Sequence, residues 1–594
     1  MPDCGRWPRV IRCPPFRVAA MVYGVPVRSA GRARGAIVAA CLVLAATAAS
    51  RGDESARGDH FGVPQVKFIN EQVAAGWADA GLKPSDPATD GEWCRRVHLD
   101  VIGRIPTLDE LQKFLADSSP TKRVELVDRL LGDDYVDDYA RSWTDIWTTV
   151  LIGRDVANEM VSRPGMRQYL RRAFSKNIPY DRFMEELVTA TGANSNRKDV
   201  DGFNGATNFL SGKMQENGVQ ATAKTAQVFL GLQVQCTQCH NHPFNKGKQN
   251  QFWEFNAFFR QARALRKFDG TREIQWIELV DEDFPGEGKS QAANAEEAEI
   301  YYELRNGLMK TAFPVFVDGT EISRSGYLPG TLADGTAYGS HRRRELAGLI
   351  KASPLMPKAI VNRMWGHFLG YGFTRPVDDL GEHNAPSHPE LLEGLADQFR
   401  EASFDLKRLI RWIVLSRPYS LSSKTTKGNQ RDDPTLGEKP MFSHFYLRQM
   451  RAESLYESLL TATAATEGRG GEEAAKQKDE WLSQFVIAFG TDEGDDATTF
   501  NGSIPQVLVM FNSELIKQAT STGKGGFLQR VAASDRKNAA KIDLLYQAAL
   551  ARKPQGRELT EANALLVARK GDAVGALQDI WWAVLNSNEF IINH

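Results

Sequence analysis

Two thiols and an imidazole stand within five residues, in the run Cys236-Thr237-Gln238-Cys239-His240. In this order both sulfurs can form thioethers with haem vinyl groups, and the adjacent imidazole can take the iron as its proximal axial ligand. The spacing suits that chemistry, because the cysteines fall about one helical turn apart on a short helical segment. Cys236, Cys239 and His240 are therefore the candidate residues for a haem c cofactor. Other chemistry stays open at this point. The cysteines could form a small redox disulfide. Cys236, Cys239, His240 and His242 could instead hold zinc or another transition metal, although such close spacing makes it awkward for all four to meet one tetrahedral ion.

A haem iron used for electron transfer usually takes a second ligand. Met309, Met356, Met364, His341, His367, His383 and His388 lie downstream, and none has a diagnostic setting. His242 follows His240 too closely to reach the opposite haem face easily. A Met in a helical pattern is more often core than ligand. His367 is expected to bridge helices through a hydrogen bond, and local structure explains His388 as well as function does. Arg95, Arg96 and Asp100 are expected to form a buried ion pair. No nucleophile elbow, phosphate-cradling loop or dinucleotide-binding Gly pattern stands out.

The elements that position these residues read as mainly helical. Residues 68–261 carry helical periodicity. Thr107-Leu108-Asp109-Glu110 is a capping box, followed by an apolar face of Leu108, Leu111 and Leu115. Ser119-Pro120 is expected to open the next helix, with Val124, Val127, Leu130 and Leu131 on its buried side. Trp143 and Trp147, four apart, are expected in one core. The middle changes character. Residues 267–284, with Ile274, Trp276, Ile277, Leu279 and Val280, are strand-like, 286–298 polar and Ala/Glu-rich, 313–319 a strand ending in a turn, and 326–339 Gly-rich. Helical patterning returns from Ser340. There Ser387-His388-Pro389-Glu390 reads as a second capping box, Asp405 as a cap before Leu406, Leu409, Ile410 and Ile413, and helical runs recur near 542–551 and 577–590. No fixed-period repeat is visible. The fold class is thus mainly α, with two helical domains, 66–263 and 340–594, joined by a loop-rich connector with some β structure at 264–339.

The 594 residues, 42% hydrophobic and 25% charged, are ordinary for a globular chain of several domain-sized units. The N-terminus is not. Arginines at 6, 9, 12, 17, 28, 32 and 34 precede an apolar run from Ala36 to Ala48, and small residues follow. That is the pattern of a secretory signal peptide, 1–48, with Ala46-x-Ala48 at the cleavage point. The run is too short to span a bilayer comfortably. Removing seven arginines and one aspartate with it takes the formal charge from −1 to −7. A mildly acidic, exported protein follows, periplasmic or extracellular, with no transmembrane span after cleavage and no nucleic-acid surface. Three cysteines, Cys94, Cys236 and Cys239, remain, too few for a disulfide scaffold. Covalent haem attachment requires export, so the leader and the motif agree.

Longer stretches then add a resemblance. Phe229 through Phe244, Arg95-Arg96-Val97-His98-Leu99-Asp100-Val101-Ile102-Gly103-Arg104-Ile105-Pro106-Thr107, and Asn177-Ile178-Pro179-Tyr180-Asp181-Arg182-Phe183 resemble landmarks of an exported, planctomycete-type family. That family couples a cytochrome-c-like domain of unknown function to a second domain of unknown function. Arg342 through Ala347, Val361 through Gly372, Pro386 through Leu392 and Leu585 through Phe590 resemble that second domain, in order. The resemblance implies export and two mostly helical domains, and it implies no particular reaction. Two departures are visible. Where small c-type cytochromes usually place a Gly and an aromatic before the first Cys, this chain has Val228 and Leu232, and no obvious Met-bearing loop follows at the usual distance, which implies either a different fold around a haem or use of the motif for another metal. The leading expectation is electron transfer, or the redox subunit of a periplasmic oxidoreductase working with an unknown redox partner. The alternatives are a metal-stabilised scaffold or binding protein for an extracellular polymer, and a polysaccharide-active hydrolase.

Overall fold

Thr107 opens its helix as its sequence requires. Its hydroxyl accepts from the Glu110 N–H, and the Glu110 carboxylate accepts from the Thr107 N–H at 2.7 Å, closing a capping box over Leu108–Ala116. Asp405 likewise caps Leu406–Val414, whose Leu406, Leu409, Ile410 and Ile413 are all buried. These are features of a computed structural model describing residues 60–154, 158–197, 201–268, 270, 272–281, 300–322, 342–465, 472–490, 503–523 and 525–594. The expected signal peptide, the polar stretch 286–298 and the Gly-rich run 326–339 lie outside the described residues.

The architecture is mainly α with a few short strands in small sheets. Strands β1 (Gly192–Ala193), β2 (Ala262–Phe268) and β3 (Ile274–Asp281) form an antiparallel sheet in the order β1-β3-β2, with Ala264 opposite Leu279. Strands β4 (Ile300–Glu303) and β5 (Met309–Ala312) form a hairpin that sets Glu303 opposite Met309. Strands β6 (Arg448–Gln449) and β7 (Ile592–Asn593) pair across more than a hundred residues. The strand expected at 313–319 reduces to one bridge, Val315 to Glu321, beside a turn.

One apolar core collects side chains from both helical stretches, Val66 to Phe229 and Leu346 to Tyr446, and holds both Trp143 and Trp147. A second gathers Met450 to Ile591 and takes in Leu99 and Ile105 from the first stretch. Burying such surface is the dominant favourable contribution to folding. The seam between the cores is polar and buried. Asp100 on the helix Asp90–Ile102 accepts from Arg448 Nη2 with both carboxylate oxygens, from the Tyr419 hydroxyl at 2.8 Å and from Asn593 Nδ2 at 2.8 Å.

Four local expectations change. Leu115 is 42% exposed and Phe114 is buried in its place, since Leu111 and Phe114, three apart, share the inner face. The helix expected from Ser119-Pro120 begins at Lys122, because Ser119 and Pro120 form a turn in which the Ser119 carbonyl accepts from the Lys122 N–H. Ser387 does not cap its helix. His388 is the N-cap residue with Pro389 following, and the Ser387 hydroxyl lies 3.0 Å from the His388 ring. Arg95 and Arg96 do not pair with Asp100. Arg95 donates to the Phe590 and Ile592 carbonyls. Arg96 donates to the Tyr419 and Leu421 carbonyls and to Glu92.

Backbones approach closely at one helix start. A Cβ on Gly205 would sit 2.2 Å from the Gly165 carbonyl oxygen, in the first turn of Arg163–Ser175. The obstacle is backbone and cannot swing aside. Gly205→Ala is expected to destabilise the chain by about 1–3 kcal/mol through overpacking. An unchanged urea midpoint would contradict the close approach.

Candidate functional site

The helix Val219–Thr225 runs on through a wider turn, Ala226–Leu230, and stops at Gly231, whose φ of +63° is a conformation that favours glycine. Val228 and Leu230 are buried there and Leu232 packs against the core, so the chain leaves the core just before the motif. The Gly231 carbonyl accepts from the Leu380 N–H at 2.7 Å. Gln233 and Gln227 donate to opposite oxygens of Asp378.

Next comes a tight 3₁₀ turn, Gln235–Gln238. Thr237 pins it from inside, donating its N–H and its hydroxyl to the Val234 carbonyl while itself buried. Cys236 and Cys239, on either side of Thr237, are exposed and free. The Gln238 carbonyl accepts from Gln249 Nε2 and Trp253 Nε1, both at 3.1 Å. Gln249 Nε2 also donates to the Glu303 carbonyl, which ties the turn to β4. Gln249 and Trp253 are positioning residues that the sequence did not single out. Their helix, Gln249–Asn256, was legible, but its docking on the motif was not.

The two histidines differ in a way that matters for ligation. His240 Nδ1 lies 2.7 Å from the Asn241 carbonyl oxygen. A carbonyl only accepts, so Nδ1 carries the proton and Nε2 keeps its lone pair. Metal-ligating histidines usually donate their other N–H in this fashion. His242 is the reverse. Its Nδ1 faces the N–H groups of Phe244 and Asn245, at 3.2 and 3.1 Å. That lone pair is occupied, and the neutral ring then carries its proton on Nε2. Among the described residues no group of three or more His, Cys, Asp or Glu side chains is disposed to hold a metal ion.

A cleft of about 760 Å³ opens beside Cys239 and His240. Trp253 and Tyr302 stack along it with ring centroids 5.7 Å apart, and Met309 of β5 lines it with a side chain 60% exposed. The other described downstream candidates do not line the cleft, although the His383 ring packs 5.4 Å from that of His242. Met356 and Met364 are core. His388 is buried, and His383 pairs with Asp379 at 3.0 Å. His367 is half-buried and its Nε2 reaches the Asp100 carbonyl at 3.3 Å, the bridging role expected of it. His341 lies outside the described residues.

Fold and site together define a mainly helical protein that presents a Cys-x-x-Cys-His turn at the mouth of an aromatic cleft. Residues 68–264 match the family model PSCyt2, a protein of unknown function (DUF1549), and residues 342–566 match PSD1, a protein of unknown function (DUF1553), so the chain carries the two in sequence. No curated protein and no solved structure matches the chain. Among the described residues no helix is long and apolar enough to cross a membrane.

Proposed function

We propose that this chain is an exported c-type haem protein that passes electrons, alone or as the redox subunit of a larger oxidoreductase. The observation that carries the reading is the His240 ring, whose Nδ1 proton is fixed on the Asn241 carbonyl so that Nε2 is bare beside two exposed thiols. The donor set fits the group. Cys236 and Cys239 would hold the porphyrin covalently, and His240 would ligate its iron. Bound haem would supply one-electron transfer. The chain's own contributions are distinct from that chemistry. Thr237 buried in the turn keeps both sulfurs facing outward, Asn241 orients the imidazole, and Trp253 with Tyr302 lines the cleft with apolar surface. Met309 is the thioether in the same cleft that can serve as second ligand. The basic and apolar leader supports export, which the attachment chemistry needs.

The test is to produce the chain in a host with periplasmic haem-attachment machinery, then record a pyridine haemochrome spectrum and a covalent haem stain. One haem per chain is expected, lost entirely in Cys236→Ala/Cys239→Ala. Met309→Leu is expected to keep the covalent haem but lose the thioether-to-iron charge-transfer band. A colourless wild-type protein carrying stoichiometric zinc would overturn the reading in favour of a metal-stabilised scaffold.

A further inference from the structure

A short segment of the second matched stretch, Asp378 to His383, holds the chain on both sides of the Cys-x-x-Cys-His turn. Before the turn, Gln227 and Gln233 donate to opposite oxygens of Asp378, Gln233 at 3.0 Å, and the Leu380 N–H donates to the Gly231 carbonyl at 2.7 Å. After it, the His383 ring packs against that of His242, and Lys246 pairs with Glu382 at 2.9 Å. These contacts are unequal. The Lys246–Glu382 pair is exposed on both sides and contributes little. Asp378 is 5% exposed, and a carboxylate accepting from amides away from water is the stronger tie.

The arrangement around Asp378 is specific. Gln227 sits in the wide turn that ends its helix and Gln233 two residues past Gly231, so one carboxylate closes the bend from both arms. A carboxylate only accepts, which obliges both glutamines to turn their amide nitrogens inward. At the bend itself a Cβ on Gly231 would stand 2.9 Å from Leu380 Cδ1, so the two segments are in close apposition. Asp378 is held in turn. Buried Asn362, on the helix Leu355–Leu369, donates to the Val377 carbonyl and the Thr374 hydroxyl, both at 2.8 Å, and accepts from the Phe373 N–H at 2.6 Å. The carboxylate is thus fixed to a core helix on one side and grips the approach to the motif on the other.

We propose that Asp378 is a positioning residue for the haem site: acting through Gln227 and Gln233, it fixes the bend at Gly231 and with it where Cys236, Cys239 and His240 stand. Only two residues separate Gln233 from Cys236, so freedom at the bend passes directly to the first thiol. Haem as the group positioned rests on the reading above; the bend rests on hydrogen bonds alone.

Hydrogen–deuterium exchange of the full chain tests the bend without haem. The amides of Gly231, Leu232 and Thr237 are hydrogen-bonded to carbonyls of the bend and the turn. In Asp378→Ala they are expected to exchange about ten-fold faster or more, the local opening that loss of charge-assisted hydrogen bonds allows, with the rest of the chain unchanged. Asp378→Asn keeps the shape, and a turned glutamine amide can meet its nitrogen, so exchange close to wild type is expected. Electron paramagnetic resonance of the ferric, haem-loaded chain then reads the site: one set of g values for wild type and Asp378→Asn, a second or broadened set for Asp378→Ala. Gly205→Ala, destabilised elsewhere, is expected to leave exchange at the bend and the resonance spectrum unchanged. Unaltered exchange at the bend in Asp378→Ala, or a rise spread evenly over the chain, would overturn the proposal, as would faster exchange with an unaltered resonance spectrum. A wild type without haem would instead remove the haem reading, and exchange would still decide whether Asp378 holds the bend. Should Asp378→Ala fail to fold, Gln233→Ala removes the donor nearest the motif, and a several-fold faster exchange of the same amides is expected.

Discussion

Asp100→Ala is expected to cost about 3–5 kcal/mol of folding stability, the loss that follows when one partner of a buried ion pair is removed. Asp100 is 5% exposed, and Arg448 Nη2 donates to both of its oxygens, at 3.0 and 2.8 Å. Without the carboxylate, the Arg448 charge keeps the His367 and Phe368 carbonyls as neutral acceptors but has no counter-charge. Tyr419 and Asn593 each lose an acceptor in the same substitution. The comparison that separates charge from packing is the double variant Asp100→Leu/Arg448→Met. Replacing both partners with apolar groups is expected to recover much of the loss. Urea denaturation of the three proteins measures it. A single variant within about 0.5 kcal/mol of wild type, the range of ordinary surface changes, would mean that the pair does not form.

Acid is expected to unfold the chain earlier than its carboxylates alone would require. His98 and His388 are buried and His367 and His594 half-buried, and burial pushes their pKa values down to about 4, 4, 3 and 3. In an unfolded chain each titrates near 6.5. Between those values the unfolded chain binds protons that the folded chain refuses. Stability therefore falls as pH drops below about 6.5, by up to about 1.4 kcal/mol per pH unit for each histidine, and the histidine contribution levels off below about pH 3–4. Glu110, held far below the usual carboxylate range by Arg104 and Tyr135 although burial opposes it, adds a loss that begins as pH falls through about 4.5. Urea midpoints from pH 8 to pH 4 are expected to hold steady above pH 7 and then decline steeply. A profile flat to pH 5 would show that these rings are protonated in the folded protein.

How far each feature was legible follows the reach of the interaction behind it. The Thr107 and Asp405 caps are satisfied within two or three residues, so local spacing was enough to read them. Cys-x-x-Cys-His is equally local, and its turn is short and helical as the spacing demanded. Ser387 shows where local reading fails. The pattern for a capping box is present, but the helix begins one residue later and the hydroxyl is taken by the neighbouring ring. Asp100 fails by distance. Its partners Tyr419, Arg448 and Asn593 lie hundreds of residues downstream, whereas the basic residues beside it in sequence turn to carbonyl oxygens instead. Met309 had no distinguishing neighbours in sequence. Only the β4–β5 hairpin brings it to the cleft of His240.

The buried contacts between the two matched stretches also bear on how such a gene can change. Asp100 lies in the stretch matching one family and Arg448 in the stretch matching the other, while Arg343 of the second reaches back to the Val188 and Ala190 carbonyls of the first. Recombination that swapped either stretch for an unrelated module would strand charges and carbonyls on both sides of the break. Selection is then expected to transmit the pair as one heritable block, so that substitutions at position 100 in any lineage are accompanied by compensating ones at 448.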